Sequence, residues 1–363
     1  MSTIRIACLG DIMCGDSFYN AGCGVASSLG KYGRDFLRPE IVRFLDGHDV
    51  VVGNVECVLS DKGRNDRLLR SIHMRGAGRT ADYLAGWNLT VANVANNHIL
   101  EHGYEAAIDT VDNLLRSGIR VIGSGAGNRF RDGLHVEWIC RRGLTLALIG
   151  MCLRREKYAF NGGAGLEEVI EAVRNADTSG AFVCVCIHWG DELMDYPSGE
   201  QTEIADALAR AGARMIIGHH PHVVQGAVLR DGVLVAYSLG NFIFDGFIDD
   251  CCWSVVLSVE VTDGEVVGWQ CLPVVKDREH RPAFIQGSDK TALMSEFARR
   301  CGLLTTTADA EAYEQRYRTD FKTKDARARS RLYRHLCRRL PHMKAIYWPQ
   351  VLLRPIQRRL NLW

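Results

Sequence analysis

Short apolar runs rich in β-branched residues recur along the chain, and most stop at a glycine or a polar cluster. Thr3–Leu9 stops at Gly10, Val50–Val52 at Gly53, and Leu89–Val94 at Ala95-Asn96-Asn97-His98. Val121–Ile122, Leu144–Ile149, Phe182–Ile187, Met215–Ile217 and Val233–Tyr237 continue the series. Between them lie segments of helical periodicity, among them Gly103–Arg116 and Gly199–Ala211. Strands alternating with amphipathic helices predict an α/β fold. Trp253–Trp269 reads differently: alternating residues, then Thr262-Asp263-Gly264-Glu265, then a second apolar run. That pattern predicts a hairpin on an Asp-Gly turn, so the α/β body should finish in antiparallel strands.

Beyond about Arg278 helical patterns take over and cations accumulate. Lys322, Lys324, Arg327, Arg329, Arg331, Arg334, Arg338, Arg339 and Lys344 follow one another, with Asp325 almost the only acid among them. A boundary near residue 280 therefore divides a domain, 1–280, from a basic helical extension, 281–363. The end of the extension interleaves Ile346, Tyr347, Trp348, Leu352, Leu353 and Trp363 with Arg354, Arg358 and Arg359. A basic, aromatic segment of this kind suits an anionic membrane surface. It equally suits packing on its own domain or on a partner enzyme. Pro349 and Pro355 are expected to break any single helix across it.

Composition narrows the classes. With 363 residues, 47% hydrophobic and 24% charged, the chain can bury a sizeable core. A formal net charge of +1 gives no global attraction for nucleic acid, and no specific nucleic-acid partner is expected. No apolar stretch at the start has signal-peptide length, and no run approaches the ~20 residues that span a bilayer. The expectation is a cytoplasmic protein, peripheral at the membrane if the basic tail docks there. The 13 cysteines include Cys184 and Cys186, which read as small apolar fillers of a strand. Reduced thiols are expected, since no pair has zinc-ribbon spacing.

The strand ends carry the chemistry. Successive ends bring Asp11, then Asn54 and Glu56, then Asn97 and His98, then His188, and last His219, His220 and His222. Ligands gather outside the carboxyl ends of strands in α/β sheets. Carboxylate, amide oxygen and imidazole together hold one or two divalent ions such as manganese, iron or zinc. Paired ions activate solvent and clamp the oxygens of a phosphoryl group. Three imidazoles crowded into His219-His220-Pro221-His222 repel when protonated, and a cation relieves that by binding neutral rings. Asp16 reads as a turn residue or a substitute ligand. Glu101 and Asp191 follow candidate ligands and can orient them or lie exposed. Asn241 and Asp245 read as shaping the loop beneath the site, with direct contact open to Asn241. Gly123-Ser124-Gly125-Ala126-Gly127 lacks the Lys-Ser or Lys-Thr of a phosphate loop and reads as a flexible segment.

In order along the chain, GDIMCGD, GNVE, ANNHILEHG, IHWGDE, GHHPHVVQG and YSLGNFIFD resemble the capsule-synthesis branch of the metallophosphoesterases, the CapA type. The likeness runs from about Ile4 to Asp245, roughly two thirds of the chain. It implies a layered α-β-β-α sandwich of the calcineurin-like kind, ahead of the helical extension. It also implies a metal-dependent phosphoesterase serving synthesis of a capsule or poly-γ-glutamate-like polymer, with an anionic small molecule or polymer as substrate. By the same resemblance Asp11, Glu56, Asn97, His188, His220 and His222 hold metal, and His98 protonates the leaving oxygen. Asn54, His219 and Asn241 are further candidates. Two positions depart from the family pattern. Met13 stands where the superfamily has a histidine, and Asn54 stands where an aspartate is usual. Two other readings therefore stay open: a non-hydrolytic accessory component of a polymer-synthesis assembly, and a metal-dependent amide hydrolase.

Overall fold

A computed structural model gives the structure of the protein and describes residues 3–246, 251–305 and 310–359. The described strands are, in chain order, β1 (Thr3–Ile12), β2 (Val50–Val55), β3 (Val58–Leu59), β4 (Arg75–Gly76), β5 (Val91–Asn93) and β6 (Arg120–Ile122). There follow β7 (Val136–Arg141), β8 (Leu144–Cys152), β9 (Phe182–His188), β10 (Ala213–His219) and β11 (Ala227–Arg230). The last are β12 (Val233–Ala236), β13 (Asn241–Ile243), β14 (Trp253–Thr262), β15 (Glu265–Lys276) and β16 (Pro282–Phe284). One sheet runs β16-β15-β14-β1-β2-β5-β6, with β13 paired to the end of β1. The second runs β11-β12-β10-β9-β8-β7.

Period-two alternation explains how the sheets stack. Ile4, Ile6 and Cys8 on β1 face the second sheet and meet Leu146, Leu148, Cys184 and Cys186. Ala7 and Leu9, between them, point the other way into a core with helices Val25–Tyr32, Pro39–Asp46 and Gly103–Arg116. On the second sheet Val183, Val185 and Ile187 pack outward on helices Leu166–Thr178 and Gly199–Ala211. Three apolar cores between four layers of secondary structure make the α-β-β-α sandwich of the calcineurin-like fold. Cys8, Cys184 and Cys186 fill its centre, and no disulfide forms among the described residues.

The hairpin follows the sequence closely. Thr262 lies opposite Glu265, and Asp263 and Gly264 have φ of 52° and 82°. Two left-handed central residues make the primed turn that matches strand twist. Three edge strands, β7, β11 and β16, escaped the reading of apolar runs. On β7 only Ile139 is buried, so an edge that faces solvent leaves no apolar run to detect.

The first strand also runs further than its apolar residues. It continues through Gly10 to Ile12 because β13 pairs with its end, Asp11 lying opposite Asn241. A Cβ at Gly10 would sit 2.0 Å from the Gly240 carbonyl oxygen, so the two backbones pass where only glycine fits. Gly10→Ala should destabilise the protein by roughly 3 kcal/mol, because overpacked backbone must move. Urea unfolding checks this, and an unchanged midpoint would show that the contact is dispensable.

Beyond the hairpin, β16 closes the sheet edge, and helix Gly287–Gly302 sends Phe297 into the core between the sheets. A long helix, Ala310–Arg339, two short 3₁₀ turns and helix Trp348–Arg359 complete the described chain. The expected break across the tail falls at those turns, before the prolines. Pro349 sits in the first helical turn, where its missing N–H is not needed, and the helix runs on through Pro355. Val351 in the same helix is buried against the body, and Gln350 bonds to residues 67 and 69, which together hold the helix in place. No helix among the described residues is long and apolar enough to cross a membrane.

Candidate metal centre

Strand register sets the site. At the end of the first sheet Asn241, Asp11, Asn54 and Asn93 stand side by side on β13, β1, β2 and β5. At the end of the second sheet Cys152, His188 and His219 stand side by side on β8, β9 and β10. Loops leaving these ends add Glu56 after β2, Asn97 and His98 after β5, and His220 and His222 after β10. His220 and His222 have φ of 96° and 61°, an uncommon conformation for side-chain-bearing residues. The bend turns both rings inward, where their centroids lie 5.8 Å apart and His220 is 4.7 Å from His188.

Glu56 is at the centre, fully buried. Its Oε1 lies 3.7 Å from both His188 Nε2 and His222 Nε2 and 4.0 Å from His98 Nε2. It belongs to two donor groups, one with Asp11 and His188 and one with His220 and His222. Asn97 Oδ1 lies 2.9 Å from His188 Nε2. Thus Asp11, Glu56, Asn97, His98, His188, His220 and His222, drawn from five separate stretches of sequence, surround one point.

The further candidates support this group. Asn54 donates to Asp11 Oδ1 at 2.8 Å, and its own Oδ1 accepts from Asn93 at 3.1 Å. His219 belongs to neither donor group; its Nδ1 is 3.1 Å from Asp11 Oδ1, with the Cys186 thiol on its other side. Asn241 Oδ1 meets His222 Nδ1 at 3.0 Å. Glu101 Oε2 holds His98 Nδ1 at 2.8 Å, so it orients that ring. Asp191 bonds instead to Tyr317 and Arg154. Asp16 accepts from Gly22 and Ser27, as a turn residue does. Met13 is buried, with its sulfur accepting the Gly15 N–H at 3.1 Å.

Asn93 is the supporting residue that sequence reading missed. Ideal Cβ positions at Gly150 and Gly123 fall 2.3 and 2.6 Å from its Oδ1, so two glycines make room for this amide. A polar amide closing a buried β strand was the available signal, since asparagine is depleted in strands.

Electrostatics divides the ligand candidates sharply. Burial alone would raise the Asp11 carboxyl, but hydrogen bonds from His219 and His222 hold it well below the usual range. Glu56 has no such donors. Burial drives its carboxyl well above the usual range, against the opposing charge of His222. Burial also pushes His188 and His220 well below the usual imidazole range. His222 is held at about 10 because Glu56 and Asp11 outweigh its burial, and His219 at about 9 because of Asp11 and Cys186.

Both oxygens of Glu56 and both ring nitrogens of His220 are buried with no hydrogen-bond partner. Buried polar groups are normally paired, and an isolated carboxylate in the interior costs several kcal/mol. Four unpartnered atoms at one point, beside neutral imidazoles and a deprotonated Asp11, fit a divalent cation. The residues present are the ligand types that such an ion takes.

Residues 5–246 match the family described as bacterial capsule synthesis protein PGA_cap. The chain belongs to this family. Capsule biosynthesis protein CapA of Bacillus anthracis is 29% identical over 255 residues, covering 67% of this chain and 60% of that protein. PGA biosynthesis protein CapA of Bacillus subtilis is 30% identical over 205 residues, covering 54% of this chain and 53% of that protein. The chain thus spans a little over half the length of these CapA relatives. A crystal structure described as a novel phosphatase from Mycoplasma pneumoniae superposes with a TM-score of 0.50 over 76% of this chain and 95% of that one. At 13% identity that likeness shows the fold alone. The PGA_cap match contains every residue of the cluster and ends before β14, so the final hairpin and the helical arm lie outside it.

Proposed function

We propose that this chain is a metal-dependent phosphoesterase serving synthesis of a capsule or poly-γ-glutamate-like surface polymer. The observation that carries the metal is Glu56, a buried carboxylate without hydrogen bonds shared by two donor groups. Asp11, Glu56 and His188, with Asn97, would hold one ion, and Glu56, His220 and His222 a second. When bound, such ions supply Lewis-acid activation of solvent and clamp phosphoryl oxygens.

The chain's own residues then have distinct tasks. Asn54 and His219 fix Asp11 from two sides, and Asn93 in turn fixes Asn54. Asn241 fixes the His222 ring. His98 is a quarter exposed, unlike the buried donors around it, so it can exchange protons with solvent. Glu101 takes its Nδ1, leaving Nε2 turned toward the cluster, where it can protonate a departing oxygen. A cleft of about 720 Å³ opens beside Glu101 and His102, and Lys62, Arg70, Arg75 and Lys157 line it together with Glu105. Lys62, Arg70 and Lys157 in this lining support an anionic substrate, whereas Arg75 is buried and donates to the Ser60 and Lys62 carbonyls.

Met13 and Asn54 favour a second reading, a metal-holding accessory component without hydrolysis. One assay separates the two. Purified chain is supplied with Mn²⁺ and a chromogenic phosphodiester or monoester, and bound metal is measured in the same sample. Turnover that requires Mn²⁺ and disappears with chelator is the expected result. Bound metal without turnover of either ester would overturn the phosphoesterase reading in favour of the accessory one.

A further inference from the structure

The C-terminal arm has two unlike faces. Its inner face grips the body: Tyr313 OH donates to the Pro197 carbonyl at 2.6 Å, and Lys324 pairs with Asp195 at 2.5 Å. Arg339 donates to Asn20 at 2.9 Å, and Gln350 accepts the Leu69 N–H at 2.7 Å. These contacts fix the arm's orientation and so decide what points away.

Along helix Ala310–Arg339, Arg327, Arg331, Arg334 and Arg338 recur at i, i+4, i+7 and i+11 and are all exposed. That spacing aligns them in one stripe. Ala328, His335 and Arg339, about a quarter turn round the helix from the stripe, are positions that meet the body. In the following helix Trp348 and Leu352 lie one turn apart and are 39% and 65% exposed, while Val351 between them is buried. Ile346 and Leu353 are 47% and 49% exposed nearby. Trp363 and the side chains of Arg358 and Arg359 lie outside the described residues.

Charge is divided to match. Residues 322–363 contain 12 of the 44 lysines and arginines and one of the 43 acids, a net +11 against −10 for residues 1–321. An anionic surface attracts the arm and repels the rest, which selects one orientation. We infer that the outer face of the arm docks on an anionic lipid surface, with its arginine stripe on headgroups and Ile346, Trp348 and Leu352 in the interface. A basic stripe alone would serve nucleic acid equally well. The exposed large apolar side chains of the following helix are what a lipid boundary accommodates.

The test uses the full chain sedimented with vesicles of phosphatidylcholine and phosphatidylglycerol in equal parts, and with phosphatidylcholine alone. Sedimentation with the mixed vesicles only, weakened by added salt, is expected. Replacing the four stripe arginines by glutamine should lower vesicle partitioning by roughly tenfold or more. Leu352→Asp should also lower it and, because that side chain is 65% exposed, should keep the parent melting temperature. No sedimentation, equal sedimentation with both vesicle types, or full binding by the glutamine variant would each overturn the inference. So would tighter binding to a mixed-sequence DNA duplex than to the mixed vesicles at the same salt.

Discussion

Replacing Glu56 by glutamine should stabilise the metal-free protein at neutral pH and erase the extra stability that Mn²⁺ gives the parent chain. The two effects have opposite sign and one cause. In the folded chain burial raises the Glu56 carboxyl well above its usual range, so at neutral pH folding must protonate it or bury a charge. A carboxyl raised by folding costs stability above its unfolded pKa, and that cost fades as pH falls through the ordinary carboxylate range. Glutamine removes the cost, a gain of about 1–3 kcal/mol at pH 7 that vanishes near pH 4. It also removes the shared anionic ligand. Weakening a group that merely supports a ligand costs about 10–100-fold in metal affinity, and losing Glu56 itself should cost at least that. Thermal melts with and without Mn²⁺ at both pH values read all of this. A metal-free variant less stable than its parent, with an intact Mn²⁺ shift, would mean that Glu56 is an ordinary buried acid.

His98→Ala should sharply slow ester hydrolysis while leaving bound metal unchanged. A positioned general acid contributes about 10²–10⁴-fold to rate, and that is the fall expected in kcat. Metal should stay because His98 Nε2 is 4.0 Å from Glu56 and belongs to neither donor group, whereas Asn97 beside it contacts His188 directly. Elemental analysis paired with kinetics tests this. Loss of metal in the variant would recast His98 as a ligand, and unchanged kcat would remove it from the chemistry.

The sequence shows these features unevenly, for physical reasons. Strands buried on both sides, such as β9 and β10, give continuous apolar runs and are plain to read. Strand β7, with one buried residue, is not. The ligand candidates were legible because carboxylates, amides and imidazoles ending apolar strands have few structural reasons to be there. Asn93 carried no motif, and its task depends on Asn54 beside it and on Gly150, 57 positions away. His219 and His220 are adjacent and indistinguishable in sequence. Pairing of β10 with β9 turns the first toward Asp11, and the left-handed backbone of His220 turns the second toward Glu56. Asp191 follows His188 closely, yet it answers to Tyr317, 126 residues on, a contact no local reading contains.

A cation held between the ends of the two sheets would be directly visible by anomalous scattering. Crystals of the native chain grown with Mn²⁺ are measured on both sides of the manganese absorption edge. An anomalous peak bonded to Glu56 and to His220, His222 or His188 is the predicted result. Ordered side chains in the arrangement described, with no anomalous peak among them at saturating Mn²⁺, would contradict it.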